Sequence, residues 1–155
     1  MPGFLIYATA VAAGVGAPLS QGSFEHRSGF FCVFWPHDAK RVERAKKSFD
    51  ISWVFPDGEM TGHDVSAIEI IKAPKQIGAR PRVVEFRTDG NGFNLLLAGD
   101  SGKFFLVLMP RRGRGGEYDA GAGAFDKRSV EYFGACRTID ADEKLVADLR
   151  NGRSH

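Results

Sequence analysis

Four groups of residues in this chain have types and spacings suited to chemistry. Ser101 stands between Asp100 and Gly102, where a turn would expose its hydroxyl for use as a nucleophile. Asp57, Glu59, His63 and Asp64 put hard-ligand and acid–base types into one short stretch. Their spacing is not that of a calcium-binding loop, and a single histidine with carboxylates is nonspecific for zinc, so a polar hairpin tip is the expectation and no metal is assigned. Arg111, Arg112 and Arg114 are interspersed with glycines ahead of Tyr118, a pattern that offers planar cations on a backbone free to approach a partner. Cys32 and Cys136 are the only two cysteines. Without a histidine cluster beside them they do not form a zinc site, and in an exported protein they are a natural disulfide pair.

Two short resemblances accompany these residues. Gly99-Asp100-Ser101-Gly102 resembles the segment around the nucleophile of chymotrypsin-like serine proteases. It covers four residues. Lys103 follows where that family has another glycine, and His26, His37 and His63 all lack the disulfide-flanked setting of the catalytic histidine. A hairpin turn between two apolar strands accounts for the same residues. Arg111 to Gly116 resembles a very short arginine-glycine tract of RNA-binding proteins, with Tyr118 as its immediate aromatic. One such tract beside a net charge of +2 does not point to nucleic acid, and a solvated loop facing an acidic protein surface is the broader reading.

The elements that must position these residues follow from the hydrophobic pattern. At 155 residues with 43% hydrophobic and 26% charged side chains, the composition is that of a globular domain. Nineteen glycines imply many tight turns, and thirteen phenylalanines against three tyrosines imply a dry aromatic core. Gly29 to Trp35 reads as a strand buried on both faces and ended by Pro36. From Phe49 to Phe55 the residues alternate, with Phe49, Ile51, Trp53 and Phe55 on one side. Val65 to Lys72 reads as the returning strand. Arg82 to Thr88, Phe93 to Ala98 and Lys103 to Met109 form a meander joined by Asp89-Gly90-Asn91-Gly92 and by the turn holding Ser101. Pro110 to Ala124 breaks the pattern and reads as a long exposed loop carrying function, before a strand from Val130 to Arg137. A short helix is expected from Ala39 to Lys47. A C-terminal helix is expected to begin at Asp140, to pack with Leu145, Val146 and Leu149, and to end before Gly152.

Charge is unevenly distributed. Lys40 to Lys47 and Lys72 to Arg87 each hold five basic residues and one acidic residue. Ahead of the domain, Phe4 to Ala13 is uncharged and apolar and is followed by Val15-Gly16-Ala17, a small-residue cleavage pattern. The stretch is too short to span a bilayer. No Lys or Arg precedes it and Pro18 follows it, so an N-terminal strand or buried helix is the alternative to a signal. The expected organisation is an export signal or N-terminal appendage over 1–20 and one β-rich domain over 21–155. The fold class is mainly β: an antiparallel β-barrel or β-sandwich of roughly six to eight strands with a C-terminal helix. The expected function is a small periplasmic or secreted binding protein without enzymatic activity or cofactor, recognising an acidic protein surface or a small apolar ligand through Arg111, Arg112, Arg114 and Tyr118. A serine hydrolase using Ser101 and a structural or assembly subunit are the alternatives, the latter compatible with a cytoplasmic location.

Overall fold

A computed structural model of the chain describes residues 27–55 and 65–151. The expected N-terminal appendage, the stretch with Asp57, Glu59, His63 and Asp64, and Gly152 lie outside the described residues. Eight strands follow one another: β1 (Arg27–Pro36), β2 (Phe49–Val54), β3 (Glu69–Lys72), β4 (Arg82–Asp89), β5 (Gly92–Gly99), β6 (Gly102–Pro110), β7 (Glu117–Ala124) and β8 (Tyr132–Ala141). They form one antiparallel sheet in the order β3-β2-β1-β8-β7-β6-β5-β4, curled into a nearly closed barrel with its seam between β3 and β4. The first and last strands therefore lie side by side in its middle. Ten residue pairs join them, from Arg27 opposite Ala141 to Pro36 opposite Tyr132.

Alternation along β1 explains why that strand is apolar on both faces. Phe30, Cys32 and Phe34 point into the barrel with Ile51, Trp53, Leu95, Leu97, Phe104, Leu106 and Leu108. Phe31 and Val33 point outward into a second cluster formed with Val54, Ile71 and Ile139 and with α2 (Glu143–Arg150), which contributes Val146 and Leu149. Cys32 and Cys136 face one another across the β1–β8 ladder with their sulfurs at bonding distance, 2.05 Å, and their Cα atoms 4.0 Å apart.

Several boundaries differ from the sequence expectation. The region from Pro110 to Ala124 is no long loop, because β7 occupies its second half. Its residues are small where its neighbours are large: Ala120 pairs with Leu108 and Ala122 with Leu106, so the partner strand supplies the apolar bulk. The strand expected over Val65 to Lys72 opens with a 3₁₀ turn, Val65–Ala67, and only Glu69–Lys72 is strand. The helix expected over Ala39 to Lys47 is a 3₁₀ turn, Arg41–Glu43, followed by α1 (Arg44–Lys47), neither burying a residue. The last strand runs to Ala141 because it stays paired with Arg27, which moves the N-cap of α2 two residues beyond Asp140, to Asp142.

Asp142 caps α2. Its Oδ1 accepts a 2.8 Å hydrogen bond from the Leu145 amide, and an ion pair between Arg150 and Glu69 ties the far end of the helix to β3. Replacing an N-cap aspartate by alanine removes one acceptor for the orphan amides of the first turn. Asp142→Ala is therefore expected to cost about 1 kcal/mol in urea unfolding while Asp142→Asn restores most of it. An unchanged midpoint for the alanine variant would mean that the cap does not hold the helix.

Candidate functional site

The turn between β6 and β7 gathers three of the residues singled out above. Arg111 donates its backbone N–H to the Glu117 carbonyl at 2.9 Å, Arg114 donates to Arg111 at 3.2 Å, and Thr138 on β8 donates to Gly116 at 2.8 Å. Gly113 and Gly116 take φ of +74° and +82°, a region that side chains other than glycine seldom occupy. A Cβ at Gly116 would also come within 2.7 Å of the Thr138 hydroxyl. The turn is thus a hydrogen-bonded structure leaning on β8.

Its arginines are not equivalent. Arg111 Nε donates to Asp119 Oδ1 at 2.9 Å, and its Nη1 lies 3.5 Å from Glu117 Oε1. The hydrogen bond and the charge of Asp119 raise the pKa of Arg111 further, with Glu117 adding to both effects. Arg114 Nη1 reaches the same Glu117 oxygen at 3.3 Å. Arg112 is exposed and makes no ion pair among the described residues. Exposed pairs of this kind contribute little to stability but hold side chains in place. Of the three arginines of the turn, Arg112 is the one whose charge no carboxylate of the turn matches.

Tyr118 occupies a different environment from the one expected of a loop residue. It sits in β7 with its ring directed inward, 5.3 Å from Phe30 and 5.7 Å from Phe93. Burial raises its pKa and favours the neutral phenol. Its ring anchors the base of the turn to the core.

Beside the turn, the outer wall of β7, β8 and β1 forms a trough of about 240 Å³ with Phe31, Val33 and Ala135 in its floor and Arg111, Glu117 and Arg137 along its rim. The Arg137 guanidinium lies 5.1 Å from the Phe31 ring centroid, in cation–π range. A second, polar recess of about 400 Å³ lies between Pro110, Arg111, Arg112, Arg114 and Asp119. Arg111 borders both, so an apolar and an ionic surface meet at one side chain. Sequence reading missed Phe31, Val33, Ala135 and Arg137. The signal for the first two was the second apolar face of β1, which α2 covers only in part.

Ser101 lies in the β5–β6 turn at the opposite end of the barrel, its amide donating to Ile77 at 2.8 Å. Against it packs Gly78, where a Cβ would come within 2.4 Å of the serine hydroxyl. His37 packs its ring on Phe133, 6.1 Å away, while His26 and His63 lie outside the described residues. Among the described residues no three His, Cys, Asp or Glu side chains are grouped so as to hold a metal ion. No described helix is long and apolar enough to cross a membrane.

The chain matches no protein-family model, no curated protein and no solved structure. The reading of the site accordingly rests on its geometry. A trough of this volume is smaller than the roughly 300–1,000 Å³ of small-molecule pockets. Its volume is that of one or two side chains, and Arg111 and Arg137 stand on its rim.

Proposed function

We propose that this chain is an exported, non-enzymatic binding module that recognises a segment of another protein bearing a carboxylate beside an apolar side chain. The observation that carries this reading is the junction of the arginine turn with the trough over Phe31, Val33 and Ala135. A hydrogen-bonded cationic turn beside a half-buried apolar floor matches an apolar anchor site with a polar rim, the arrangement that concentrates binding energy in interfaces. The described interior is filled by aromatic and aliphatic side chains, which leaves turns and the outer wall for recognition. Export is supported by the cysteine pair at bonding distance, a feature of oxidising compartments, and by the apolar stretch from Phe4 to Ala13.

Selection of random peptides on the immobilised, disulfide-intact protein tests the reading. Enriched peptides should carry Asp or Glu next to Leu, Phe or Trp. Arg112→Glu should weaken their binding about tenfold or more, because a like charge then faces the ligand carboxylate, and the loss should shrink as salt is raised. Enrichment of basic peptides, or binding indifferent to Arg112→Glu, would refute the site.

A further inference from the structure

We infer that the end of the barrel opposite the arginine turn is a docking surface for an anionic lipid bilayer. Four segments, 37–50, 72–82, 100–103 and 125–131, close this end, and backbone hydrogen bonds join them into a rim. His37 donates to Glu131, Phe125 to Lys103, Ser101 to Ile77 and Asp100 to Ala79. A further bond from Gln76 Nε2 to the Tyr132 hydroxyl, 3.0 Å long, fastens the rim to β8. These segments contain twelve of the 21 basic residues of the chain and six of the 19 acidic ones. The rim therefore carries +6 and the remainder of the chain −4, although the chain as a whole is only +2. Three of the six acids are already matched within the rim, Glu43 by Lys47, Asp100 by Arg80 and Glu131 by Lys127. Lys40, Lys46, Lys72 and Lys75 carry no ion pair among the described residues.

The apolar side chains at this end favour lipid over other polyanions. Of the six most exposed large apolar residues among those described, four lie here: Val42, 84% exposed, with Phe125, Val130 and Phe133. Val42 projects from the short basic turn between Lys40 and Lys46. Trp35 lies beside Phe133 across the β1–β8 ladder with the Arg44 guanidinium 5.3 Å from its ring. Nucleic acid would call for open aromatic faces on which bases stack. Here the aliphatic tips of Val42 and Val130 cannot stack, the rings of Trp35 and Phe125 are already met by Arg44 and Lys103, and that of Phe133 packs against His37. Apolar tips ringed by lysines suit a bilayer boundary, where the tips enter the acyl region and the lysine stems reach back to the headgroups.

Sedimentation of the full chain with vesicles decides the matter. The uncharged N-terminal apolar stretch contributes alike to phosphatidylcholine and phosphatidylglycerol–phosphatidylcholine vesicles, so the preference for the second reports the rim. That preference should be strong at about 100 mM salt and fade when the Debye length falls well below 10 Å. Lys40→Gln with Lys46→Gln should reduce partitioning to the anionic vesicles about 30-fold, since each lysine near such a surface contributes about fivefold. Val42→Asp should reduce it about tenfold. Lys144→Gln on α2, away from the rim, should change nothing. All four positions are exposed, so the variants keep the fold. Equal binding to both vesicle types, indifference to the lysine pair, or displacement from vesicles by a single-stranded oligonucleotide that the same lysines hold would overturn the proposal.

Discussion

Reduction of the Cys32–Cys136 bridge is expected to lower the stability of this domain by about 4 to 5 kcal/mol. The reason lies in the unfolded chain. The two cysteines are separated by 104 positions, so the bridge joins nearly the whole domain into one loop and removes that closure entropy from the denatured ensemble. In the folded state little should change, because the β1–β8 ladder already places the two residues opposite one another. Unfolding with and without reductant should therefore give two cooperative transitions, the reduced one with a Tm lower by about 10 to 15 °C. Coincident transitions would show that the bridge does not constrain the chain.

Phe30→Ala should be nearly as damaging, at about 4 kcal/mol. Phe30 is fully buried, and its ring meets four others: Trp53 at 5.3 Å, Phe93 at 5.5 Å, Tyr118 at 5.3 Å and Phe55 at 6.3 Å. These rings come from β1, β2, β5, β7 and the residue after β2, so removing Phe30 opens a cavity that no single strand can shift to fill. Phe133→Ala provides the contrast. That ring is 51% exposed on the outer face of β8, and its loss should move the urea midpoint by no more than about 0.5 kcal/mol in free energy. Similar losses for the two variants would contradict the assignment of inner and outer faces.

How far the sequence reveals this fold depends on how directly each residue declares its face. Over β2 and the residue after it, Phe49, Ile51, Trp53 and Phe55 alternate with Asp50 and Ser52, and the alternation alone gives the strand and its inward side. In β1 the run is apolar at every position, which gives a strand covered on both faces but not the identity of the cover. β7 was the failure. Its sequence, Glu-Tyr-Asp-Ala-Gly-Ala-Gly-Ala, has neither β-branched residues nor bulk, and it becomes a strand because Phe104, Leu106 and Leu108 on β6 need small residues opposite them.

The same local reading limited the site. Arg111, Arg112 and Arg114 were visible from composition, but that Glu117 and Asp119 neutralise two of them depends on the turn geometry. The trough joins residues more than a hundred positions apart, Phe31 and Val33 with Ala135 and Arg137, and no spacing within one segment could announce it. The basic rim was foreshadowed by two charge runs, Lys40 to Lys47 and Lys72 to Arg87. Only strand register shows that both reach one end of the barrel.

Partner recognition is proposed to take place at the arginine turn and its trough. Titration of the isotopically labelled, disulfide-intact protein with a selected acidic, apolar-anchored peptide, followed by amide chemical shifts, tests it most directly. Shifts are expected to concentrate at 111–119, at Phe31 and Val33 and at 135–137, and to be abolished by Arg112→Glu. Shifts centred instead on the Ser101 turn, or spread evenly over the barrel, would contradict it.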